Sequence, residues 1–337
     1  MKELGFWHCS IAVYEVSLQA IERVSLPRYK GSTLDGAIDS AFHAVVCRKR
    51  HGKCPCSRVC PYAIIFKPQP IIGQNGDKTL QRYKEAPKAY VVEPPLDHKG
   101  IFQPGEFLHF RILLFGKSIR YFPWFIVALQ AMGQTGMGKG RGKVELAEIY
   151  SVHPLNGMRR PIYLCDSETG LLPNESLLVD KEDIVRGSQG FTSNEITLEF
   201  LTPTRIRMRD TWVNKPTFTQ IIITILRRAE LLSRFYGQGI SNACWSDLLE
   251  DADSVALKVD SLSWYDWKRY SRPQQDILGM GGIVGTVTYV GEALSRFMPY
   301  LLLGQLMHIG KGYVYGMGKY VVRNGNGEAI WDGYTMI

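Results

Sequence analysis

RYFPWFIVALQAMGQTGMGKGRGKVELAEI, residues 120–149, and SRFMPYLLLGQLMHIGKGYVYGMGKYVVRN, residues 295–324, read as one phrase written twice. Each has an aromatic residue with proline nearby, an apolar stretch of helical length, a glycine-rich basic loop, then a strand. Gly140-Arg141-Gly142-Lys143 aligns with Gly316-Met317-Gly318-Lys319 at an offset of 176 residues, about half of the 337-residue chain. A period that long is not a solenoid repeat, whose units run to about 20–45 residues. It predicts two copies of one domain.

The sequence around each phrase supports duplication. In the first half, CSIAVYEVSL alternates as a half-buried strand does. GSTLDGAIDSAFHAVVC reads as a helix capped by Ser32 or Thr33, with Leu34, Ile38, Ala41, Phe42 and Val45 as its apolar stripe. YAIIFKP, AYVVEPP and EFLHFRILLFG read as strands before the repeated unit. In the second half, the strand NEITLEFLTPTRIRM, the helix FTQIIITILRRAELLSRFYG and the strands SVALKVDSLSWYDW and GGIVGTVTYVG lead into it. Both halves read β-α-β-β-α-β. The expected fold is therefore α+β, tandem ferredoxin-like (RRM-like) domains with Gly-rich loops, over about residues 1–150 and 194–337. Residues 151–193, where Pro, Asn, Gly and charges are frequent, are expected to be a linker or insert with some local structure.

Hydrophobic residues make up 45% of the chain, enough for a real core and too many for a disordered protein. The net charge of +8 favours a polyanionic partner. No apolar run approaches the ~20 residues of a membrane span, and the opening MKELGFWHCSIAVYEV lacks a signal-peptide core. Seven cysteines, four of them bunched, do not make a secreted disulfide framework. A soluble, cytoplasmic protein with no membrane partner is expected.

Three readings of the glycine loops compete. Gly133-x-x-x-x-Gly138-Lys139 approaches a nucleotide-binding P-loop, but Gly140 stands where Ser or Thr must bind the metal. The loop also follows a helix and precedes a strand, the reverse of the order that presents phosphates to a helix N-terminus. A plain turn needs only one or two glycines. The third reading is a cradle for a polyanion, in which bare backbone at Gly310, Gly312, Gly316 and Gly318 lets phosphates approach. Lys139, Arg141, Lys143, Lys311 and Lys319 would add charge. Tyr313 and Tyr315 would offer stacking faces, or pack at their edges.

The stretch Gly281–Val322, with its terminal Gly310, Gly312, Gly316 and Gly318, resembles the C-terminal domain of the CRISPR-associated precursor-crRNA processing endoribonucleases of the RAMP superfamily. KGSTLDGAIDSAFHAVVC…CPYAIIF is similar to the subgroup whose N-terminal half bears cysteines. The resemblance implies tandem ferredoxin-like domains and cleavage of CRISPR repeat RNA at one site without a metal ion. It also implies 2′-hydroxyl attack, leaving a 2′,3′-cyclic phosphate. Other CRISPR effector subunits are further expected partners. A different class, a non-catalytic RNA-binding subunit of an effector complex, shares the fold and the loops, so fold does not decide between them. A generic single-strand RNA binder is a third.

Such cleavage needs a base for the 2′-OH proton, cations for the phosphorane and an acid for the 5′ oxygen. Histidine, with an unperturbed pKa of about 6.5, suits either proton role. His43 lies off the apolar stripe of the first helix, four residues after Asp39, a spacing that permits a pair. The resemblance places the general base in that helix or the loop after it, where His51 also lies. His308 stands two residues before the terminal glycine loop. Tyr29, Lys30 and Lys311 are weaker candidates. His8, His98, His109 and His153 have no supporting motif and are read as structural or surface residues. Cys47, Cys54, Cys56 and Cys60 could hold one structural zinc. The spacing is not a pair of C-x2-C knuckles, and free thiols are the alternative. No cofactor is expected for catalysis.

Overall fold

The computed structural model describes residues 4–47, 60–69, 86–167, 170–238, 245–271 and 276–331. The first half contains β1 (Ile11–Ala20), α1 (Gly31–Val46), β2 (Tyr90–Glu93), β3 (Phe107–Phe115), α2 (Phe122–Thr135) and β4 (Val144–Val152). Its antiparallel sheet runs β2-β3-β1-β4. The second half contains β5 (Glu195–Thr204), α3 (Phe218–Tyr236), β6 (Ala256–Tyr265), β7 (Gly282–Val290), α4 (Leu294–Met307) and β8 (Tyr320–Asn324). Its sheet runs β6-β7-β5-β8. The two orders are the same ferredoxin-like order. The helices of the two phrases are 172 residues apart (Phe122 to Leu294) and their strands 176 (Val144 to Tyr320), so the second glycine loop is four residues longer.

Period-2 alternation in β1 explains how the halves join. Ala12, Tyr14, Val16 and Leu18 pack with α1 and α2 in one core. Ile11 and Val13, on the other face, join a second core with Leu113 and Phe115 of β3 and with α3 and α4. Further along that face the residues turn polar, through Glu15, Ser17 and Gln19. The second half thus covers one end of the first sheet. α3 begins with a capping box: Gln220 N donates to Thr217 Oγ1 at 3.2 Å, and Thr217 N donates to Gln220 Oε1 at 3.0 Å.

Two local expectations change, and a third gains detail. α1 starts at Gly31 with no side-chain cap, so Ser32 and Thr33 lie inside it. PYAIIF is a helix, Pro61–Phe66, because Pro61 at its first turn presets a helical φ and loses no hydrogen bond. Two strands of the segment between the halves join the first sheet: Arg159–Leu164 pairs with β4, and Leu178–Val179 with β1. Among the described residues no helix is long and apolar enough to cross a membrane.

Candidate functional site

The terminal glycine loop faces inward. It leaves α4 at His308 and returns as β8, crossing onto the first half. Gly310, Gly312, Gly316 and Gly318 all have φ between 76° and 84°. A Cβ on Gly316 would stand 2.3 Å from Pro94 Cδ and 2.8 Å from Val92 O, and one on Gly318 1.9 Å from Ile309 O. Val314 is buried in the first-half core. The Tyr29 hydroxyl donates to Tyr315 O at 2.8 Å, and burial pushes its pKa well up, with Glu93 adding to the shift. The Tyr313 hydroxyl accepts from Lys88 N at 3.1 Å, and Arg228 covers its ring at 3.4 Å. Gly316 and Gly318 are buried, while Gly310 and Gly312 are half-buried. Gly316 admits close contact with the first half, Gly318 admits Ile309 O of its own loop, and Tyr313 is packed rather than offered for stacking. Lys311 alone among the loop's cations is exposed. Gly316→Val should lower stability by roughly 2–4 kcal/mol, from overpacking plus the left-handed φ, read as a shifted urea midpoint.

His308 and Lys319 are also turned inward. His308 is fully buried, with Nδ1 3.0 Å from Met317 O and Nε2 2.5 Å from Glu93 Oε1. Lys319 Nζ donates to Glu93 Oε2 at 3.1 Å. Burial alone would raise the Glu93 pKa; Lys319, His308 and Arg111 outweigh it and hold the carboxyl well below its usual range. Burial holds Lys319 below the usual lysine range, with Glu93 opposing. Neither His308 nor Lys319 is open to substrate. Lys30 is likewise buried, its Nζ donating to Asp97 O and Oδ1, both at 2.8 Å.

The first glycine loop leaves its cations outside. Lys139, Arg141 and Lys143 are exposed, while Lys139 N donates to Ser25 O at 2.9 Å and fastens the loop to the strand before α1.

A different cluster forms where α1 meets the helix Pro61–Phe66. His43 is exposed and its ring packs edge-on to Tyr62, with centroids 4.6 Å apart. The Tyr62 hydroxyl pairs with Asp39; burial first, then Asp39, pushes its pKa up. Asp39 therefore serves Tyr62 rather than His43. Among the described residues neither ring nitrogen of His43 has a hydrogen-bond partner. Lys67 Nζ lies 5.6 Å over the Tyr62 ring. This brings together an imidazole, a phenol and an ammonium at one surface. Tyr62 and Lys67 were missed because their segment reads as a strand. Cys47, half-buried, and Cys60, buried, flank the cluster. His51, Cys54 and Cys56 lie outside the described residues, and among the described residues no group of three or more potential ligands could hold a metal.

Tyr29 stands apart from His43, just before α1, whose first residue Gly31 is about 18 Å from His43 at 1.5 Å per residue. It lines a cleft of about 270 Å³ between the halves, with Arg28, Pro94, His98, Pro203 and Tyr265. His98, set aside for want of a motif, enters through the loop after β2, which only the tertiary fold brings to Tyr265.

Comparisons with known proteins agree with this architecture. Residues 9–177, half of the chain, match the N-terminal domain family AF_1859_N. Residues 198–320 match the CRISPR-associated endoribonuclease Cas6 family. No curated protein sequence matches. Among solved structures, a partial Cas6-RT-Cas1–Cas2 complex aligns with a TM-score of 0.58 at 12% identity, over 95% of this chain and 47% of that one. The chain thus spans about half the length of that one. A Cas6 product complex aligns at 0.54 and 16% identity, over 93% and 98%. A Thermus thermophilus Cas6 aligns at 0.51 and 15%, over 93% and 98%. At these identities the structures speak for the fold, and the two family matches carry the assignment. With one on each half of a duplicated ferredoxin-like fold, the chain belongs to the AF_1859_N N-terminal domain family over residues 9–177 and matches the CRISPR-associated Cas6 endoribonuclease family over residues 198–320.

Proposed function

We propose that this protein cuts CRISPR repeat RNA to release mature crRNA, by metal-independent 2′-hydroxyl attack. The observation that carries the reading is the Cas6 match over residues 198–320, on a chain whose first half exposes His43 beside Tyr62 and Lys67. His43 would take the 2′-OH proton. Lys67 would offset charge on the phosphorane, and Tyr62 would fix the imidazole by packing. His51, in the adjoining segment, is the second proton-transfer candidate. RNA would reach this surface past the cations of the first glycine loop, with Lys311 and the cleft at Tyr29 holding flanking nucleotides. The attack breaks the P–O5′ bond as the 2′ oxygen bonds to phosphorus, and the 5′ oxygen leaves with a proton.

The units would be 1–150 and 194–337, joined by 151–193, whose strands complete the first sheet. The place of action would be the cytoplasm, beside other CRISPR proteins. One structural zinc on Cys47, Cys54, Cys56 and Cys60 remains part of the proposal. Elemental analysis should then find at most one zinc per chain, lost on Cys54→Ser, and zinc unchanged in that variant would refute the site. The function is tested by incubating the protein with labelled repeat RNA in EDTA and mapping the cut. A single cut ending in a cyclic phosphate is expected. Bound but uncut RNA would favour the non-catalytic subunit instead.

A further inference from the structure

Between β5 and α3 the chain forms a small hairpin, Arg207–Met208 paired with Thr211–Trp212. It carries Arg207 and Arg209, with Arg205 just before it, and none of the three belongs to the sites above. Its turn residues Arg209 and Asp210 have φ of 44° and 68°. Glycine or asparagine is the usual occupant of such a turn.

The Arg205 guanidinium lies 4.2 Å over the Trp212 ring. Its Nη1 has a sulfur partner, Met280 Sδ at 3.4 Å, and its Nε is buried with no partner. Among the described residues no carboxylate pairs with Arg205 or Arg209; Arg207 pairs with Asp210 at 2.8 Å, on exposed surface. The hairpin adjoins both RNA-facing features. Lys311 N donates to Arg205 O at 2.9 Å. Met280 N donates to Trp267 O at 2.9 Å, and the Trp267 ring lies 4.7 Å from Tyr29, which lines the cleft.

A guanidinium held over an indole, with most of its donors unused, is preorganised for a phosphate oxygen. The geometry points to a phosphodiester-binding subsite on this hairpin, where Arg205, Arg207 and Arg209, with Lys311, hold the backbone of an RNA strand leaving the cleft. Contacts of this kind fix register and add affinity without reading bases. The inference rests on the RNA-processing reading.

Arg209→Gly tests it in the full chain, because glycine suits the turn and removes only the side chain. Its melting temperature should hold or rise. Its affinity for labelled single-stranded repeat RNA should fall several-fold, and the slope of log K against log salt should flatten by about 0.7 for each phosphate that is no longer neutralised. Arg207→Gln added to it should deepen both effects. Unchanged affinity and slope, in variants that still cut RNA, would overturn the subsite and leave the proposed function standing. Loss of polyglutamate binding with RNA binding intact would overturn it in favour of an acidic protein. A wild-type chain that neither binds nor cuts RNA would overturn both.

Discussion

His43→Ala is expected to slow single-turnover cleavage of repeat RNA on the order of 10²-fold or more, with RNA affinity unchanged. The expectation rests on placement. His43 is exposed, its ring is steadied by Tyr62, and among the described residues its nitrogens have no hydrogen-bond partner. Tyr62→Phe should cost less, because the supporting ring stays while the hydroxyl to Asp39 is lost. His308→Ala is expected to behave differently. Its ring is fully buried between Glu93 and Met317 O, so removing it should lower stability, and lower rate only through that loss. Equal rates for wild type and His43→Ala, with the fold intact by circular dichroism, would move the proton transfer to another residue, His51 first.

Glu93→Ala should be the most destabilising single change, at about 3–5 kcal/mol, because it strands buried cationic partners without their counterion. Glu93 comes from the first half, and His308 and Lys319 come from the second. Loss of the carboxylate therefore loosens the joint between the halves. Glu93→Gln keeps the shape and should still lose most of that energy. The pH sign follows from a depressed carboxyl pKa. Glu93's contribution is fully present above the unfolded value of about 4.3 and is lost as pH falls from there through the folded value. Urea midpoints of wild type and variant should thus differ widely at pH 7 and converge in acid. A constant difference down to pH 2 would contradict this account of the joint.

What the sequence disclosed follows from which forces are local. Alternation in residues 11–20, the stripe of α1 and the doubled phrase depend on neighbours in the chain, and these were legible as a tandem ferredoxin-like fold. The helix Pro61–Phe66 was not, because a short apolar run has no period to separate helix from strand. The inward turn of the glycine loop was not legible either. Glu93, which pairs with His308, is 215 residues away, and no local pattern reports such a contact. Glycines crowded by Pro94 and by a phosphate would look alike in sequence. The charge of Lys319 likewise says nothing of the carboxylate that neutralises it. His43 was legible as an off-stripe polar residue, while its neighbours Tyr62 and Lys67 needed the helix that holds them.

The most direct test of the central claim is a repeat RNA with a single 2′-deoxy nucleotide on the 5′ side of the mapped cut, assayed under single-turnover conditions in EDTA. The account predicts that this RNA binds with the affinity of the all-ribose strand and is not cut, while the all-ribose strand yields a 2′,3′-cyclic phosphate. Cleavage of the deoxy-substituted RNA, or cleavage only when a divalent metal is restored, would contradict it.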